Sequence, residues 1–80
     1  MFYVYYLRSI SNSKKTYIGF TQDLTKRLEC HNTGKSIYTS KYMPWEIIGY
    51  LAFNSEEKAR SFENYLKTNA GKIFLSRYMI

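Results

Sequence analysis

Two short runs of aromatic and β-branched residues, Phe2-Tyr3-Val4-Tyr5-Tyr6-Leu7 and Lys15-Thr16-Tyr17-Ile18-Gly19-Phe20, flank a polar, turn-forming stretch from Arg8 to Lys14. Such side chains fit the pleated surface of a sheet, so the chain is directed from its start towards a β-hairpin. With the turn centred near Ser11, Tyr5 lies opposite Tyr17 and Tyr3 opposite Gly19. The two-residue period then puts Tyr3, Tyr5, Tyr17 and Gly19 on one face. Phe2, Val4, Ile18 and Phe20 fall on the other, more hydrophobic face. The chain holds nine tyrosines beside five phenylalanines and one tryptophan. That excess has a plain explanation, because large amphipathic rings give a small core much buried area while each hydroxyl keeps a polar contact. A tyrosine-rich face opposite an apolar one also suggests a second role.

The rest of the chain alternates helix and strand signals. Thr21 or Asp23 can cap a helix in which Leu24 and Leu28 face the core, with His31 about one turn further on. The helix should end at Asn32-Thr33-Gly34, where Gly34 suits a left-handed position. Residues 35–44 read as a basic, tyrosine-bearing loop, and Trp45 to Phe53 as a third strand. Asn54-Ser55-Glu56-Glu57 resembles a capping box, with Asn54 as the cap and Glu57 as its partner. A helix follows to about Thr68, and Gly71 to Tyr78 form a short last one. The order β-β-α-β-α-(α) predicts an α+β fold, a small, mostly antiparallel three-stranded sheet flanked by helices.

Eighty residues leave room for one domain, spanning residues 1–80, and for no second core. One cysteine, Cys30, cannot form an internal disulfide. No run approaches the roughly 20 apolar residues of a membrane span, and the first apolar run is too short for a signal peptide. The expectation is a soluble, cytoplasmic protein with its thiol reduced. Twelve Lys and Arg against six Asp and Glu give a net charge of +6. That balance suits a polyanion such as nucleic acid, whose condensed counterions are released on binding, and equally describes a soluble basic surface.

Three positions could carry chemistry. Ala59, Phe62 and Leu66 form an apolar helical stripe, and Glu63 sits at i+4 of it. A carboxylate turned inward needs a cation, a base partner or a solvated cleft. At the stripe's edge it would instead reach water or Lys67, its i+4 neighbour. Arg27 and His31 also lie i, i+4 on one helix face. A guanidinium beside an imidazole suits phosphoryl chemistry, while a surface arginine and a half-buried histidine at a helix end would look the same. Zinc-type Cys/His spacing, a phosphate-binding glycine loop and a nucleophile elbow are all missing from the sequence.

Taken together, these residues resemble the GIY-YIG endonuclease superfamily, and in particular its short stand-alone branch. Tyr17-Ile18-Gly19 matches the second motif, and Tyr3-Val4-Tyr5 occupies the first, with Tyr3 replacing the glycine and Val4 the isoleucine. Gly19 through Arg27 and His31 to Asn32 is similar to the branch's helix. Tyr42-Met43-Pro44-Trp45 and Ala59 through Glu63 to Lys67 fit as well, so the resemblance covers nearly the whole chain. It implies a metal-dependent endonuclease hydrolysing phosphodiester bonds, of DNA rather than RNA and with little sequence specificity. Glu63 would hold a single Mg²⁺ or Mn²⁺, while Tyr5 and Tyr17 would position or activate the attacking water. Arg27 would bind the scissile phosphate, and His31 would assist proton transfer. Because a phenol of ordinary pKa near 10 is a poor base at neutral pH, the metal and Arg27 would have to lower it. Lys35 and Lys41 are candidates for contacts to the nucleic-acid backbone. The alternative is a non-catalytic nucleic-acid-binding module that retains the fold.

Overall fold

A computed structural model describes residues 1–79. Strands β1 (Phe2–Ser9) and β2 (Thr16–Thr21) form the expected hairpin. They are followed by helix α1 (Leu24–Asn32), a single turn α2 (Ile37–Ser40), strand β3 (Trp45–Phe53) and helices α3 (Glu56–Leu66) and α4 (Asn69–Tyr78). The sheet order is β2-β1-β3, with both pairings antiparallel. This is the α+β arrangement that the element order predicts.

The hairpin register differs from the sequence expectation. Tyr5 lies opposite Gly19, and Leu7 opposite Tyr17. The turn centres on Asn12 rather than Ser11. The Asn12 carbonyl accepts the Lys15 N–H at 2.9 Å, and its side chain accepts the Lys14 N–H at 3.2 Å. Moving a turn centre by one residue changes each partner by two, so every side chain keeps its face.

As the central strand, β1 is buried on both sides. Val4 and Tyr6 pack with Ala59 and Leu66 of α3 and Leu75 of α4, while Tyr5 and Leu7 pack with Trp45 and with Leu24 and Leu28 of α1. Strand β3 serves both cores through a bulge at Ile48, where the register shifts between Tyr6↔Gly49 and Leu7↔Ile47. Trp45 and Ile47 therefore join the Tyr5 side, while Phe53, beyond the bulge, joins the α3 side.

The caps settle where the helices begin. Asp23 accepts the Lys26 N–H at 3.0 Å and caps α1. That helix ends with Gly34 at φ 80° and the Lys35 N–H on the Cys30 carbonyl. Helix α3 is capped by Ser55, through the Lys58 N–H, and not by Asn54. Pairing of β3 runs to Phe53 opposite Phe2, so Asn54 serves as the link between strand and cap. Helix α4 starts earlier than Gly71 because Thr68 caps it. The expected loop at 35–44 contains α2, a turn of four residues, too short to show a helical period.

Candidate active site

Tyr5 points from the middle of β1 towards α1 and is 2% exposed. Its ring lies across Gly19 on the neighbouring strand, where a Cβ would overlap the phenol carbons and hydroxyl. The glycine thus opens the path by which the phenol reaches α1. Two side chains one turn apart on that helix converge on the hydroxyl. Arg27 Nε–H donates to it at 3.3 Å, and His31 Nε2 lies 2.9 Å away.

His31, in the last turn of α1, is fully buried rather than half-buried, and its Nδ1 lies 2.8 Å from Thr39 Oγ1. A neutral imidazole has one donor nitrogen and one acceptor nitrogen. Thr39 and Tyr5 therefore take opposite roles, and a proton gained at one end of the chain Thr39–His31–Tyr5 can be matched at the other. Burial first, and then the Arg27 charge, holds the imidazole pKa below its ordinary value, which keeps the ring neutral near pH 7. Tyr5 moves the opposite way. Burial raises its pKa, and the Arg27 hydrogen bond that opposes this does not overcome it, while the charges of Tyr17 and Glu63 add to the rise. The arginine thus acts in the expected direction, but desolvation of the phenolate is the larger effect.

Tyr17 is more accessible. Its ring packs on His31 at 4.9 Å and on Tyr38 at 6.0 Å between centroids. With Thr16, Ile18, Tyr38 and Lys67 it lines an open cleft of about 360 Å³. Arg27 is exposed and borders a hollow of about 230 Å³ with Thr21, Asp23, Lys26 and Cys30. Its pKa is raised further, chiefly by the Tyr5 hydrogen bond, so it stays cationic.

Glu63 combines both sequence readings. Its side chain is only 16% exposed, and it pairs with Lys67 at 3.3 Å. Its charge is the smallest of the causes that raise the Tyr5 pKa, and Lys67 lines the Tyr17 cleft. Hydrogen bonds and ring contacts thus join Tyr5, Tyr17, Arg27 and His31, whereas Glu63 stands on α3, which packs on the Val4 and Tyr6 side of β1, and its partner there is Lys67. Lys35 and Lys41 are exposed on either side of α2, and neither side chain forms a hydrogen bond or ion pair among the described residues.

Thr39 was not legible beforehand, nor were the contacts that Trp45 and Asn32 make. Thr39, fully buried, and Trp45, whose indole donates to the Thr39 carbonyl at 2.8 Å, hold the far side of His31. Asn32 accepts the Trp45 N–H at 2.6 Å and donates to its carbonyl at 3.1 Å, which ties the end of α1 to the start of β3. Asn32 is part of the motif-like stretch, whereas nothing in the sequence marks Thr39.

This geometry coincides with a family match, as the GIY-YIG catalytic domain aligns with residues 1–78. The chain belongs to the GIY-YIG family. Among similar proteins, a UPF0213 protein of Streptococcus pyogenes serotype M3 is 41% identical over 66 residues, covering 81% of this chain and 70% of the relative. A UPF0213 protein of serotype M5 is 44% identical over 55 residues, covering 68% of this chain and 60% of the relative. Membership in the GIY-YIG family supports a nuclease-type function with nucleic acid as the substrate. Among the described residues of this GIY-YIG chain, no helix is long and apolar enough to cross a membrane.

Proposed function

We propose that the chain is a metal-dependent endonuclease that hydrolyses phosphodiester bonds of DNA with little sequence specificity. The observation that carries this reading is the convergence of Arg27 and His31 on the Tyr5 hydroxyl, beside a cleft lined by Tyr17 and Lys67. With its Nε committed to Tyr5, Arg27 keeps its terminal nitrogens for a phosphate and for the charge that builds up in the transition state. Tyr17, on the cleft side, positions the attacking water. The neutral His31 ring, reached through the Tyr5 hydroxyl, is the acceptor for its proton. Exposed Lys35 and Lys41 supply contacts to the nucleic-acid backbone, which carry no sequence information.

The donor set also fits one kind of metal. No cluster of three or more His, Cys, Asp and Glu side chains occurs among the described residues, which does not match a structural zinc cage. A single, largely withdrawn carboxylate is compatible with Mg²⁺ or Mn²⁺, ions that accept one or two carboxylates and fill their remaining positions with water and phosphate oxygens. Glu63 would hold it. When bound, such an ion polarises a phosphoryl oxygen and offsets charge as the bond breaks.

The Lys67–Glu63 ion pair favours a second reading, a nucleic-acid-binding module whose carboxylate pairs with its neighbour rather than with a metal. Cleavage of supercoiled, linear, single-stranded and branched DNA with Mg²⁺, Mn²⁺ or EDTA, alongside Glu63→Ala, separates the two. Metal-dependent nicking that disappears in the variant is the expected result. Salt-dependent binding by both proteins, with no cutting by either, would establish the module instead.

A further inference from the structure

The cleft beside Tyr17 has a construction that hydrolysis does not require. It is lined by Tyr17, Ile18 and Tyr38 together with Thr16 and Lys67, whose side chain is paired with Glu63 and 55% exposed. Tyr38 is 49% exposed although it continues a chain of ring contacts, 6.0 Å to Tyr17 and 5.9 Å to Tyr42. Behind it, Lys15 Nζ stands 5.2 Å from the centre of the Tyr42 ring. An aromatic platform bordered by cations, continuous with the residues gathered about Tyr5, is the arrangement on which proteins stack the bases of unpaired nucleic acid. Its volume of about 360 Å³ lies at the lower end of the roughly 300–1,000 Å³ typical of small-ligand sites.

We propose that this cleft is a nucleotide subsite in which Tyr38 stacks against one unpaired base and Lys67 faces the adjoining phosphate. Within a duplex both faces of every base are covered by neighbours. A base reaches Tyr38 only from a single strand, a bulge, a branch or a frayed end. Selection for unpaired nucleotides follows, and it is sequence-tolerant because every base offers a π face. The subsite rests on the reading of the chain as a nucleic-acid enzyme, and the Tyr17 ring, which touches both Tyr38 and His31, joins it to the cluster about Tyr5.

The test is made on the full chain in EDTA, so that binding is measured without cleavage. The probes are a single-stranded oligodeoxynucleotide carrying 2-aminopurine, its duplex, and the ribo version of the single strand. Anisotropy gives affinity, and 2-aminopurine quenching reports stacking. Tyr38→Ala is expected to weaken single-strand binding by about 5- to 150-fold and to remove the quenching. Duplex affinity should stay unchanged, and Tyr38→Phe should behave as the native chain. The thermal midpoint of Tyr38→Ala, read by circular dichroism, checks that the exposed site was altered without unfolding. Deoxy and ribo probes that respond alike place the recognition on the base, and the difference between their affinities identifies the preferred backbone. Equal losses for single strand and duplex, no loss at all, or no single-strand binding by the native chain would each overturn the subsite. Tyr38-dependent stacking in a protein that never cuts DNA would leave the subsite standing and refute the nuclease. Cutting that is indifferent to Tyr38, with stacking unchanged, would do the reverse.

Discussion

Gly19→Ala tests the packing on which the candidate site depends. The Gly19 backbone does not adopt positive φ, so alanine meets no conformational penalty there. The added methyl would instead occupy the space of the Tyr5 phenol, a side chain 2% exposed and held from the other side by His31 and Arg27. Overpacking a fixed ring of this kind typically costs about 1–3 kcal/mol. In a Tyr5→Ala background the ring is gone and the cost should vanish. Removing a glycine there restricts the unfolded chain and should stabilise by about 0.4–1 kcal/mol. The coupling between the two positions, measured by a double-mutant cycle in urea, is then about 1.5–4 kcal/mol. For a domain of this size each kcal/mol corresponds to roughly 4–8 °C in the thermal midpoint, so the sign change is readily resolved. The same destabilisation in both backgrounds would refute the reasoning and make Gly19 a requirement of β2 itself.

Three further outcomes are expected, two at the buried cluster and one at the exposed lysines beside α2. Thr39→Val leaves the buried Nδ1 of His31 without a partner and should destabilise by about 1–3 kcal/mol in chemical denaturation, while Thr39→Ser should not. Because His31 binds its proton less readily when folded, it contributes no penalty above its unfolded pKa of about 6.5. Below that pH the unfolded chain takes up the proton first, so stability should fall as pH drops from 6.5 towards the folded value. Urea midpoints at pH 8 and pH 5 should differ less in His31→Phe than in the native chain. Charge reversal at Lys35 and Lys41 should weaken DNA binding and flatten its dependence on salt; an unchanged slope would show that neither lysine contacts phosphate.

Much of the fold could be read from local pattern. The hairpin, the three strands, the helix from Asp23 to Gly34 and the stripe Ala59-Phe62-Leu66 each follow from side-chain period, cap or turn chemistry acting within a few residues. Face assignment was equally local, so Tyr5, Tyr17 and Gly19 were placed together even though the turn centre was misjudged by one residue. The spacing of Arg27 and His31 set a shared helix face, and that of Glu63 and Lys67 left an ion pair and an inward carboxylate both open. Local pattern could not say which other surfaces those faces meet. The bulge at Ile48, by which one strand feeds two cores, leaves no mark in composition or period. The burial of Thr39 depends on a four-residue turn docking against His31 and Trp45 from elsewhere in the chain. The direction of the Tyr5 pKa depended on a competition between desolvation and the Arg27 charge, and only packing in three dimensions fixes how much water the phenol loses. The sequence thus determined the elements, their faces and the residue types available for chemistry. Tertiary structure decided which of those residues touch, which are dry, and that an exposed tyrosine stands beside the cleft, because contact and desolvation are set by segments distant along the chain.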